Sequence, residues 1–139
     1  QNDAEQWYML DNSLINTLPD SWGIKERFIL LPINHWTNEY QRVNIGGISC
    51  DNADYYNSEA HINQVYLPVF DESKEDPLYI GFFHTGAYQE ALSGYGGLKH
   101  CLLPAPKHIL IDKNYYGEFV DWEIFQEQDA ESMLKILGY

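Results

Sequence analysis

The chain has 139 residues, 45% of them apolar, and a formal charge of −13 from 8 basic and 21 acidic side chains. This length fits one domain able to bury a core without disulfide or metal staples, and the apolar fraction is that of a folded rather than a disordered protein. The charge argues against a basic patch for nucleic acid or an anionic membrane; it suits a cationic ligand or a solvated acidic surface.

The N-terminal Gln1-Asn2-Asp3 has no basic or apolar leader, so no signal peptide is expected there. A start other than Met fits a processed chain or a fragment. Trp7 to Leu10 reads as a short strand, broken by the turn-forming Asp11-Asn12-Ser13. Pro19 to Gly23 is a second turn cluster. Phe28 to Ile33 reads as a buried strand; it is the longest apolar run, and with Pro32 inside it is far too short to span a membrane. Gln41 to Ser49 is the next strand, with Gly46-Gly47 marking a bulge or a close backbone approach. Ile62 to Leu67 alternates as a strand up to Pro68, Asp71 to Pro77 is a polar loop, and Leu78 to Phe83 resumes β character.

Gly86 to Leu92 has helical content, and Ser93-Gly94-Tyr95-Gly96-Gly97 stops it as a loop. Ile109 to Ile111 and Phe119 to Phe125 form a hairpin around the turn at Asp112 to Gly117, with Val120, Trp122 and Ile124 as the core-facing set. Asp129 to Leu137 closes the chain as a short helix with Ala130, Met133, Leu134 and Leu137 on one face and Gly138 as its stop. The sum is a mainly β domain: an antiparallel barrel or sandwich of roughly six to eight strands with two short helices. The 11 tyrosines suit half-buried β surfaces with one polar edge.

Cys50-Asp51 carries the most chemistry. An isolated cysteine is ordinarily a small hydrophobe, but a carboxylate beside it raises the thiol pKa. That disfavours a cysteine nucleophile and favours a thiol that keeps its proton until a carbanion needs it. Asp51 alone is an ordinary turn carboxylate, yet beside Cys50 it can anchor a cation. Tyr88, on a turn led by Gly86, offers a phenol to a phosphate oxygen, since glycine lets a ligand approach the backbone closely; its ordinary role is a core aromatic. The two cysteines make no disulfide framework; they could pair with each other, but free thiols in a reducing cytoplasm are the expected state. His35, His61, His84, His100 and His108 show neither C-x-x-C nor H-E-x-x-H spacing with them, and adjacent His100 and Cys101 would point apart on a strand, so no metal site is expected. Hydrolase and dinucleotide motifs are missing too.

Asn12-Ser13-Leu14, Leu18-Pro19-Asp20-Ser21-Trp22-Gly23-Ile24 and Phe28 with Leu30-Leu31-Pro32-Ile33 resemble matching stretches of biosynthetic arginine decarboxylases. Ile48-Ser49-Cys50-Asp51, Leu78 to Phe83 and Gly86-Ala87-Tyr88-Gln89-Glu90 follow in the same order, and the likeness runs through the hairpin into Ala130 to Leu134. The Cys-Asp and Gly-Ala-Tyr elements are shared with ornithine, lysine and diaminopimelate decarboxylases of the alanine-racemase architecture. The Pro-Asp-x-Trp-Gly stretch is what tilts the resemblance toward arginine.

The resemblance implies the C-terminal β domain of a pyridoxal 5'-phosphate enzyme, packed in a homodimer against the partner's (β/α)8 barrel. It implies that Cys50 protonates Cα after CO₂ leaves, that Asp51 binds the substrate's distal cation, and that Tyr88 with Gly86 meets the cofactor phosphate. Ornithine-type relatives carry a substrate-binding acid in the turn after the first strand; Asp11 and Asn12 stand there in this chain. Gly94 to Gly97 and Lys99 to Lys107 match no feature of the arginine enzymes. A barrel of roughly 200 residues or more cannot fit within this chain, so the Schiff-base lysine is expected outside it. The expected partners are that barrel, a second subunit and a small cationic amino acid. The alternative expectation is a non-catalytic binding module derived from such an enzyme.

Overall fold

Residues 6–56 and 65–139 are described by the computed structural model. His61 and the first half of the strand expected from Ile62 lie outside them. Trp7–Met9 forms β1, which lies parallel to Tyr40–Gly46 (β3), with Trp7 opposite Asn44 and Met9 opposite Gly46. Val65–Pro68 (β4) pairs antiparallel on the other side of β3, giving the order β1-β3-β4. Ile29–Pro32 (β2) and Ile80–Phe83 (β5) form a separate antiparallel pair, as do His108–Lys113 (β6) and Phe119–Phe125 (β7).

The described residues also form four short helices, Leu14–Thr17 (α1), Pro19–Gly23 (α2), Gln89–Leu92 (α3) and Ala130–Ile136 (α4), with a 3₁₀ turn at His100–Leu102. The architecture of the described residues is therefore mixed and mostly strand, in three small sheets. Among the described residues no sheet closes into the expected barrel, and β1 runs parallel to β3 in a fold expected to be mainly antiparallel. Among the described residues the expected two helices become four because Leu14–Thr17, capped by the Ser13 side chain, is helical and so is Pro19–Gly23, read as a turn. Proline at its first position leaves no orphan N–H there, and Trp22 Nε1 donates to the Ile15 carbonyl at 3.1 Å, tying α2 to α1. No helix among the described residues is long and apolar enough to cross a membrane.

The core is small and lies where α1 meets the β1-β3-β4 sheet: Leu14, Leu18, Val43, Ile45 and Leu67 are buried together. Tyr8, Leu30, Ile80 and Phe82 pack around them. Strand β2, expected to be buried, alternates between exposed and half-buried positions. The hairpin departs further, because Trp122 and Ile124 are each 51% exposed and only Val120 is half-buried. On α4 the expected apolar face buries only Met133. Asp129 caps that helix, accepting from the Ser132 amide at 2.8 Å, and Gly138 ends it at φ 89°.

Candidate functional site

The loop after β3 carries Cys50 and Asp51, and one buried carboxylate fixes it. Asp54 accepts from the backbone N–H groups of Leu14 at 2.7 Å and Ile15 at 3.3 Å through Oδ1, and from Ser49 at 2.8 Å through Oδ2. It thus satisfies two amides at the start of α1 and one in the Cys50 loop, charge-assisted bonds that are stronger than neutral ones. Gly47 donates its N–H to the Asp54 carbonyl at 2.8 Å, and a Cβ on Gly47 would collide with the Asp54 side chain. The second of the paired glycines therefore marks a close approach, as expected, and the approaching group is a carboxylate.

Asp51 keeps the turn role a lone aspartate has, accepting from Ala53 N–H through Oδ1 at 2.8 Å. Its Oδ2 lies 3.9 Å from His100 Nε2, and the side chain remains about one-third exposed. Cys50 and Cys101 are both exposed free thiols whose sulfurs stand 3.3 Å apart. The Cys50 thiol is pushed above its ordinary pKa, first by its hydrogen bond to Cys101, then by the charge of that neighbour; Asp51 adds in the same direction. The sign expected from the Cys-Asp pair holds, but its main cause is a residue fifty positions away.

His100 and Cys101 reach this loop through a strained turn. Lys99, Cys101 and Leu102 adopt left-handed φ values of 54°, 55° and 53°, each costing about 1 kcal/mol or more for a residue with a Cβ. Two features hold the turn: the buried Asn16 side chain brackets His100, accepting from its N–H at 3.1 Å and donating to its carbonyl at 3.0 Å, and the buried Lys99 donates to the Ser93 carbonyl at 2.9 Å. Burial pulls the Lys99 ammonium below its ordinary pKa. His100 and Cys101 are thus not strand neighbours pointing apart, which corrects the geometry on which a metal site was dismissed.

Asp11 and Asn12 lie elsewhere. They line a cavity of about 260 Å³ with Thr17, Thr85 and Gln89. Asn12 accepts from Ser13 N–H through its side chain at 2.8 Å, and its carbonyl accepts from Ile48 N–H at 3.2 Å, linking this turn to the Cys50 loop. Tyr88 begins α3 in a left-handed conformation, φ 59°, and is 75% exposed. Gly86, at φ 128°, has open space where a side chain would stand. The structure thus joins Asp11 and Asn12 to the two residues flanking the Gly86–Tyr88 turn, and joins Cys50 and Asp51 to His100. Neither Cys50 nor Tyr88 lines the cavity. Sequence reasoning missed Asn16 and Asp54, whose partners at His100 and at Leu14 and Ile15 lie 84, 40 and 39 positions away and leave no local signal.

No protein-family model matches the chain. Curated relatives do. A biosynthetic arginine decarboxylase of Bacteroides thetaiotaomicron is 32% identical over 139 residues, covering 95% of this chain and 20% of that enzyme. Those of Marinobacter nauticus, at 32% over 131 residues, and Prochlorococcus marinus strain MIT 9301, at 29% over 135, cover 91% and 95% of the chain. The chain is a distant homologue of biosynthetic arginine decarboxylases. It spans about a fifth of their length. A span of 95% of this arginine decarboxylase homologue includes Cys50, Asp51 and Tyr88. The crystal structure of AQ1208 from Aquifex aeolicus superimposes with a TM-score of 0.66 at 10% identity, over 99% of this chain and 29% of that one. That likeness concerns the fold.

Proposed function

We propose that this chain is a domain of a pyridoxal-phosphate-dependent decarboxylase of a basic amino acid, with arginine as substrate and ornithine, lysine and diaminopimelate as the alternatives. The observation that carries this reading is homology to biosynthetic arginine decarboxylases over nearly the whole of this chain, a span that takes in the Cys50-Asp51 loop. The chemistry of the residues fits the cofactor. The open approach over Gly86 and the exposed Tyr88 hydroxyl offer a backbone and a phenol to its phosphate. When bound, that cofactor supplies the electron sink for the pair left by departing CO₂.

The chain's own residues hold and move a proton and bind a cation. Cys50, kept protonated at Sγ by Cys101 and Asp51, delivers its proton to Cα. Asp51 Oδ2, the carboxylate oxygen not engaged in its own turn, takes the substrate's distal cation. Asp11 and Asn12 form a second polar face in the neighbouring cavity. The exposed apolar faces of β2–β5 and β6–β7 fit burial against a barrel domain and a second subunit, since Ile29, Leu31, Leu110, Trp122 and Phe125 stand about half exposed or more.

The test is expression of the whole reading frame that contains this chain, assayed with arginine, ornithine, lysine and diaminopimelate. CO₂ release from one of them, arginine first, is the expected result. A frame without a barrel-like βα stretch, and no release from any of the four, would move the chain to the binding-module reading.

A further inference from the structure

We propose that Cys50, His100 and Cys101 form a site for a thiophilic divalent cation of the zinc class. One ligand atom from each lies within 4.8 Å of the others. The sulfurs, now 3.3 Å apart, need only separate by about half an ångström to reach the spacing of two thiolates on a tetrahedral zinc, given Zn–S bonds of about 2.3 Å. Both thiols are exposed, so rotation at Cys50 and Cys101 and entry of the ion meet no core.

Three further features suit a metal. Cys50 N–H donates to Cys101 Sγ at 3.4 Å, the kind of backbone bond that steadies a thiolate ligand. Among the described residues the His100 ring has a nitrogen to give: Nδ1 is buried without a hydrogen-bond partner, and Nε2 meets Asp51 Oδ2 at 3.9 Å. An unpartnered buried nitrogen carries a desolvation cost that coordination, or a ring reorientation toward Asp51, removes. Asp51 is also the carboxylate that metal-bound histidines characteristically keep nearby. The turn that brings His100 and Cys101 together is backbone-strained yet bracketed by Asn16, so the ligands are held before any ion arrives.

Binding forms two S–metal bonds and one N–metal bond, and each thiol gives its proton to solvent. Water completes the fourth position. One consequence rests on the decarboxylase reading: an ion here removes the Cys50 proton and so blocks the acid of that reaction. The site itself does not rest on it.

The test is titration of the reduced, chelator-treated 139-residue chain with Co²⁺, read by thiolate-to-cobalt charge-transfer absorption and by displacement with Zn²⁺. One ion per chain is expected, with the band abolished by Cys50→Ser or Cys101→Ser and affinity at least about tenfold weaker in His100→Gln. Zn²⁺ should also protect both cysteines of the unaltered chain from alkylation, a readout that no variant's folding affects. No charge-transfer band, a band unchanged in Cys101→Ser, or alkylation indifferent to Zn²⁺ would overturn the proposal. None of these readings involves turnover, so a failed decarboxylase assay leaves the metal site standing.

Discussion

At the scale of single residues, the Cys50 thiol is governed by Cys101. Because the neighbour raises the Cys50 pKa, the thiol stays protonated through neutral pH and ionises only above the ordinary cysteine range. Cys101→Ser removes the largest cause, so the Cys50 pKa should fall and alkylation by iodoacetamide should begin at lower pH in metal-free protein. An unchanged pH profile would assign the shift elsewhere. In the full enzyme, Cys50→Ala should leave cofactor absorbance intact and slow turnover by about a hundredfold to ten-thousandfold, the usual worth of a positioned acid, or divert product to aldehyde. Asp51→Ala should raise KM for the basic substrate by about tenfold to a hundredfold, since a charged hydrogen bond contributes ~1.5–3 kcal/mol. A KM within about twofold of the unaltered enzyme would transfer the distal-cation role to Asp11 and Asn12, which share a cavity of their own.

At the scale of elements, the Cys50 loop and α1 are one unit because Asp54 bonds to both. Asp54→Ala strands three buried or half-buried amides, and a loss of about 3 kcal/mol is expected from the cost of unsatisfied charge-assisted bonds. Urea unfolding should read it as a lower midpoint at unchanged slope; a midpoint within error of the unaltered chain would remove Asp54 from the frame. Such long-range polar ties are what the sequence could not disclose. The β6–β7 hairpin was legible from its alternation and its turn, expected at Asp112 to Gly117 and formed after Lys113, and α4 from its apolar spacing and Gly138 stop, because the determinants of both lie within a few residues. The parallel pairing of β1 with β3 and the turn at His100 depend on partners some forty and eighty residues away. The α2 helix was misread for a different reason: Pro and Gly mark both turns and helix ends, and the Trp22 bond to Ile15 that ties α2 to α1 leaves no mark in the local pattern. Alternation in sequence singled out Val120, Trp122 and Ile124 as one face of the hairpin, but this chain leaves Trp122 and Ile124 about half exposed, because alternation marks a face and does not say what covers it.

At the scale of the whole molecule, a core of few fully buried apolar side chains coexists with many large apolar side chains left half exposed. The barrel and second subunit proposed above would cover a share of these side chains. Trp122→Ser should therefore change the stability of the isolated chain by no more than about 0.5 kcal/mol, the range of surface substitutions, while weakening assembly of the full enzyme as measured by sedimentation. Equal losses in both would place Trp122 in this domain's own core. The central claim, that this homologue of arginine decarboxylases contributes Cys50 and Asp51 to decarboxylation, is tested most directly by release of CO₂ from carboxyl-labelled arginine. The protein from the full reading frame should release it, and Cys50→Ala should release it with slowed turnover or misdirected product. No release from arginine, ornithine, lysine or diaminopimelate by the unaltered protein, or an unchanged rate and product in Cys50→Ala, would contradict the account.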